Sequence, residues 1–289
     1  MLEKIALGTA QLQGPYGIID NKIVLNVNEF EKIIRLAKEN NISTIDTAQD
    51  YGDVEKNLGN KSLTNFKIIT KLNLELKRTD IEKEIFDKVK TSLENLKLDK
   101  IYAVLIHNPE IMLNPKFQQA AKILKKLQEQ GYISKIGYSL YSPDEVERCL
   151  QFLKPDIIQF PYNIFDRRFE TSGWISKFKK EKIECHSRSM FLQGLLLANK
   201  SNLNKKFSRW DALFEKWNIW LKKNKISATQ AAINFVFSNL EIDKIIVGVK
   251  SSDQFENLIR SKDKLSCLYP LDIFTEDEDL IDPTKWSLL

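Results

Sequence analysis

Asp46, Tyr51, Lys71 and His107 are the residues of this chain whose types and placement suit chemistry. Each ends or follows a short apolar run. Asp46-Thr47-Ala48 closes the run 43–47, with Tyr51-Gly52 beyond it; Lys71 closes 67–71; His107-Asn108-Pro109 follows 101–106. The set fits reduction of a carbonyl. Hydride arriving at a carbonyl carbon leaves negative charge on the oxygen, and a neighbouring acid must supply a proton. A phenol, with an ordinary pKa near ~10, is a poor donor at neutral pH. A nearby ammonium favours the phenolate and lowers that value. The expectation is that Tyr51 delivers the proton and Lys71 acidifies it. Asp46 then holds Lys71 in place, and His107 donates a hydrogen bond that orients the substrate oxygen.

Each residue also has a plainer reading. Asp46 can cap the helix after Tyr51, and Lys71 can be a solvated lysine at a strand end. His107 before Asn-Pro can be a satisfied structural histidine, and Tyr51 beside Gly52 a turn aromatic. Lys71 can also form a Schiff base, which would make the chain a lyase or aldolase. The plain readings weaken jointly, because all must hold at neighbouring strand ends.

Something must bring those ends together. Short apolar, often β-branched runs recur at 4–9, 43–47, 67–71, 101–106, 134–139, 156–160, 183–188 and 244–249. Stretches with helical spacing fill the intervals, at roughly 28–41, 53–60, 79–97, 115–130, 142–153, 168–181, 207–239 and 252–261. The seventh interval holds two helices, the second from Ala228 to Asn239. Alternation of this kind implies a parallel sheet, and eight units imply an α/β fold, a (β/α)8 TIM barrel in one domain over 1–289. In such barrels chemistry sits at the C-terminal ends of the strands. Ser142-Pro143-Asp144-Glu145 reads as a helix start and Ser227-Ala228-Thr229-Gln230 as a capping box. Ile81, Ile85, Val89, Leu93 and Leu96 share one face of their helix.

Bulk composition narrows the partners. The net charge is +5, with 29% charged residues interspersed in sign, so no basic stripe for nucleic acid is expected. Apolar runs such as Ile245-Ile246-Val247 are too short to span a bilayer. Cys149, Cys185 and Cys267 are far apart and make no CxxC pair, which reads as free thiols in a reducing, cytoplasmic compartment. No secretory leader pattern precedes Ile5, and no metal-ligand spacing occurs.

At this level the sequence resembles the aldo-keto reductase family, as a compact bacterial member. The matching segments are Leu7-Gly8-Thr9-Ala10, Ile45-Asp46-Thr47-Ala48 with Tyr51-Gly52, Ile69-Thr70-Lys71, and Leu105-Ile106-His107-Asn108-Pro109. They continue through Ile136-Gly137-Tyr138-Ser139, Ile158-Gln159-Phe160-Pro161-Tyr162-Asn163, the run Arg188 to Leu196, and Ile246-Val247-Gly248-Val249-Lys250-Ser251. The resemblance implies catalytic roles for Asp46, Tyr51, Lys71 and His107, and a nicotinamide amide near Ser139 and Gln159. It places Arg188 where the family often stacks a Tyr on the nicotinamide ring; a guanidinium can also stack. It extends cofactor contact to Gly8, Thr9, Ser189, Leu192, Gly194 and Gly248. The family pattern for a 2′-phosphate falls on Lys250, Ser251 and Gln254, with the Glu256-Asn257 pair shifted by one residue. NADPH is therefore the expected cofactor; the plainer reading makes Ser251 to Asp253 a helix cap.

No convincing GxGxxG loop occurs, which disfavours a Rossmann dehydrogenase. The family's N-terminal hairpin is expected to be absent or minimal. The tail 262–289 is expected over or beside the barrel, with Trp286 either a pocket wall or a packing anchor. The loop Gln11 to Gly17 is polar, which suits a sugar-like carbonyl substrate. A non-catalytic nicotinamide-nucleotide sensor is the remaining alternative.

Overall fold

The computed structural model describes residues 2–14, 27–61, 63–77, 79–198, 203–261, 266, 268–287 and 289. Its eight strands are β1 Ile5–Gly8, β2 Thr44–Asp46, β3 Lys67–Leu72, β4 Ile101–Ile106, β5 Ile133–Ser139, β6 Ile157–Pro161, β7 Glu184–Arg188 and β8 Lys244–Gly248. All pair in parallel in chain order, and β1 closes on β8 with Ile5 beside Ile245. β-Branched residues fill them because each strand is covered on both faces, by helices outside and by the barrel interior within.

The helices are α1 Val27–Glu39, α2 Val54–Gly59, α3 Ile81–Leu96, α4 Phe117–Glu129, α5 Val146–Phe152, α6 Arg168–Thr171, α7 Trp174–Lys180, α8 Asp211–Asn224, α9 Ala228–Ser238, α10 Ser252–Ser261 and α11 Glu278–Ile281. The apolar face predicted for α3 is buried throughout. Ser142 and Glu145 form a capping box at a 3-10 turn leading into α5. Ser227 caps α9 by accepting from the Gln230 N–H. Where one helix is expected over 168–181 there are two. Gly173 adopts φ +78, a left-handed conformation that ends α6 and starts α7.

Inside the barrel, strand residues facing inward form layers. Ile69, Ala103, Leu105 and Ile157 make the apolar layer. Beneath it, toward the N-terminal ends of the strands, the filling is polar. Glu184 accepts from Lys135 and from the Tyr102 hydroxyl, and its other oxygen lies 3.1 Å from His186 Nε2. Lys67 and Lys135 both sit 5.0 Å from the centre of the Tyr102 ring. Ahead of β1, Leu2–Lys4 form a single 3-10 turn.

Burial alone would push the Glu184 carboxyl up, but the donors His186 and Lys135 outweigh it and hold the group at about 2. A carboxyl depressed in the folded chain adds stability above its unfolded value, and that stability is lost as pH falls toward the folded value. Glu184→Gln should therefore cost about 2 kcal/mol near neutral pH. The gap from wild type should close between roughly pH 4.5 and pH 2. Urea unfolding at a series of pH values checks this; a gap independent of pH would refute it.

Candidate active site

The C-terminal ends of the strands open into a cavity of about 720 Å³. Asp46 ends β2, Lys71 lies on β3, His107 follows β4, Ser139 ends β5, Gln159 is on β6 and Arg188 ends β7, and all six line the cavity with Tyr51. Alternation along each strand explains the convergence: 69 and 71, or 105 and 107, point to the same interior face.

Asp46 is the organiser. Its Oδ1 accepts from Lys71 Nζ at 2.5 Å and its Oδ2 from Gln159 Nε2 at 2.8 Å. Lys71 also donates to the Thr47 carbonyl at 3.1 Å. Asp46 and Lys71 are almost fully buried, and Thr9 on the β1 side donates to the Asp46 carbonyl at 3.0 Å. A Schiff-base lysine must present a free amine, whereas this one is held in an ion pair and by a carbonyl. The geometry therefore disfavours the lyase reading.

Tyr51 lies above this pair, with Lys71 Nζ 5.7 Å from its ring centre and the His107 ring edge-on at 6.1 Å. The phenol is pushed above its ordinary value, first by burial and then by the charge of Asp46, while Arg188 works in the opposite direction. Lys71 itself is held 2.5 Å from Asp46.

His107 is held well below the usual histidine range, at about 4, by burial first and then by Lys71, with Asp50 opposing. Its Nδ1 lies 3.6 Å from the Asp50 carboxylate. The ring is thus neutral at physiological pH and can donate one N–H. Imidazole NMR resonances should stay in their neutral positions from pH 8 down to about 5, with titration centred near 4; a midpoint near 6.5 would show that the ring is solvated instead.

The cavity continues away from Tyr51. Gly8, Thr9, Ser189, Gly194, Gly248, Lys250 and Gln254 line it. Leu192 and Ser251 do not. Leu192 is fully buried in the core, and the Ser251 hydroxyl caps α10 by accepting from the Gln254 N–H at 3.1 Å. The shifted pair after β8 is resolved by helix geometry. Gln254 and Asn257, three residues apart, share the cavity-facing side of α10, whereas Glu256 points away and holds Arg260 at 2.6 Å. The segment after β7 is strained: Ser189, Leu192 and Gln193 all have φ between +47 and +60.

Gln11, from the loop read as polar in the sequence, lines the cavity together with residues that sequence reasoning missed. Gln11 packs against Gly248 so closely that a Cβ there would meet its amide at 1.9 Å. Tyr141, Thr229, Pro283 and Thr284 also face the cavity. Tyr141 lies two residues beyond Ser139, a position the strand-end pattern could have flagged. Trp286 proves a packing anchor: its Nε1 donates to the Leu280 carbonyl and its ring stands edge-on to Phe207 at 5.2 Å. The tail that carries it is tied to the barrel by Arg167, which donates to the Pro270 and Leu271 carbonyls. Pro15 to Gly17 and Cys267 lie outside the described residues. Cys149 and Cys185 are buried thiols pushed up to about 12. Among the described residues no helix is long and apolar enough to cross a membrane.

One atom tests whether a nicotinamide fits. Gln159 Oε1 is buried and has no hydrogen-bond partner among the described residues, while its amide nitrogen donates to Asp46. Ser139 is its register neighbour on β5. A carboxamide N–H donor would satisfy that oxygen, so the residues present suit the group.

Comparison with known proteins points the same way. A sequence profile of the aldo/keto reductase family matches residues 4–266. The aldo-keto reductase YhdN of Bacillus subtilis is 28% identical over 182 residues, covering 58% of this chain and 53% of YhdN, about half its length. The L-glyceraldehyde 3-phosphate reductase of Escherichia coli is 20% identical, covering 83% and 82% of the two chains. Among solved structures, a holo-form aldo-keto reductase of Bacillus halodurans superposes with a TM-score of 0.69 at 18% identity, over 93% of this chain and 94% of the other. A glycerol dehydrogenase of Gluconobacter oxydans gives 0.67 at 21% identity, over 93% and 94%.

Proposed function

Because this chain belongs to the aldo/keto reductase family, we propose that it reduces an aldehyde or ketone, with a sugar-like substrate, using NADPH. The observation that carries the reading is the convergence of Tyr51, His107 and the Asp46–Lys71 pair on one cavity wall, beside the partnerless Gln159 oxygen. The bound nicotinamide would supply the hydride. The chain's own residues do the rest. Gln159 and Ser139 would hold the nicotinamide carboxamide. The neutral His107 donates a hydrogen bond to the carbonyl oxygen, and Tyr51 passes its hydroxyl proton to that oxygen as charge develops. Lys71, fixed by Asp46, supports the phenolate left behind.

Lys250, Gln254 and Asn257 are the residues we assign to a 2′-phosphate. Fluorescence-quenching titrations should give a Kd for NADPH at least about tenfold below that for NADH, a gap of about 1.4 kcal/mol. Lys250→Ala should narrow the gap. Equal affinities would reject the phosphate assignment, and cofactor binding with no turnover across a panel of sugar aldehydes would reject the reductase reading in favour of a sensor.

A further inference from the structure

We propose that Arg188 is a docking fork for an anionic group carried by the substrate itself, so that this chain takes carbonyls bearing a carboxylate or phosphate in preference to neutral ones. The proposal rests on the reductase reading above and names its substrate class.

The charge inventory of the cavity motivates it. Asp46 is the one carboxylate among the lining residues, and it is committed to Lys71 at 2.5 Å. Lys250 stands at the α10 end, with the groups assigned to the cofactor. That leaves Arg188, whose guanidinium forms no ion pair among the described residues. Nη2 donates to the Leu140 carbonyl at 3.0 Å and Nη1 reaches the Ser189 hydroxyl at 3.4 Å, both neutral oxygens. One face lies 4.2 Å from the centre of the Tyr141 ring.

The carboxylates whose field reaches Arg188 from other elements are engaged elsewhere. Asp166 receives two bonds from Arg168, each 3.0 Å, and Glu145 accepts from the Tyr141 and Ser142 N–H groups. Neither carboxylate forms an ion pair with Arg188, whose own hydrogen bonds go to neutral oxygens.

Position and rigidity complete the case. Arg188 ends β7 one strand from Gln159, and its charge acts on both Tyr51 and His107. An anion docked there would be attached close to the reacting carbonyl. Two hydrogen bonds and the Tyr141 stack already order the side chain, so little rotamer freedom is lost when it binds. A planar guanidinium with open N–H groups matches the paired oxygens of a carboxylate or phosphate.

The test uses matched carbonyls on the intact enzyme: glucuronate against glucose for carboxylate, and glyceraldehyde 3-phosphate against glyceraldehyde for phosphate. The expected result is a kcat/KM at least about tenfold higher for one anionic member, identifying the group, with the preference shrinking as ionic strength rises. Arg188→Gln should erase the ratio, and Arg188→Lys, which keeps charge without the fork, should restore part of it. Binding of the same four compounds to enzyme saturated with NADP+ should show the same order. Equal kcat/KM across each pair overturns the proposal, as does an Arg188→Gln variant that loses the same factor on all four, which would mean the guanidinium serves only the cofactor. If no carbonyl is turned over, the reductase reading falls, and the binding order alone decides the role of Arg188.

Discussion

Replacing Tyr51 by Phe should lower kcat/KM for every carbonyl by about 10²–10⁴-fold while leaving cofactor affinity nearly unchanged. The substitution removes one oxygen and keeps the ring that packs edge-on to His107 with Lys71 Nζ beside it. No cavity opens, so stability should move by less than about 1 kcal/mol. The loss is large because the phenol is the proton source. Burial and the Asp46 charge keep it protonated at neutral pH, so the proton is present until charge develops on the substrate oxygen. Steady-state kinetics beside NADPH titration would check this. Wild-type turnover in the Phe variant would remove Tyr51 from the mechanism, and His107 would become the next donor to test.

The second large effect lies one layer down. Lys71→Met should destabilise the chain by about 3–5 kcal/mol, because it leaves Asp46 as a buried carboxylate with only the Gln159 amide for company. Asp46→Leu should cost a similar amount by stranding the ammonium. The double variant should recover most of that stability, since two apolar side chains then replace a desolvated pair. Activity should not recover: Gln159 loses the partner that fixes its amide, and the support for the Tyr51 phenolate is gone. Urea unfolding of the four proteins, with kcat/KM on each, separates the two outcomes. Additive stability losses would show that the pair is not coupled as the 2.5 Å contact requires.

Much of the fold was legible because its signals are local. β-Branched runs of 3 to 7 residues, α3's periodic face and the Ser142 and Ser227 caps each reflect interactions within one element. Local signals also erred locally: Gly173 splits a helix because a single left-handed residue outweighs an otherwise continuous periodicity. Leu192 shows a different failure. Its neighbours in the segment after β7 face the cavity, but at φ +47 its own side chain turns into the core.

The sequence by itself determined the family resemblance, the strand count and the identity of the catalytic candidates, because side-chain type and spacing along a strand dictate which residues reach the top of a barrel. Only the tertiary structure decided how their charges balance. Lys71 faces Asp46, Gln159 is split between Asp46 and an open acceptor, and Arg188 forms no ion pair among the described residues. Electrostatic roles depend on distance and burial between segments far apart in the chain, and neither quantity is written in the order of residues.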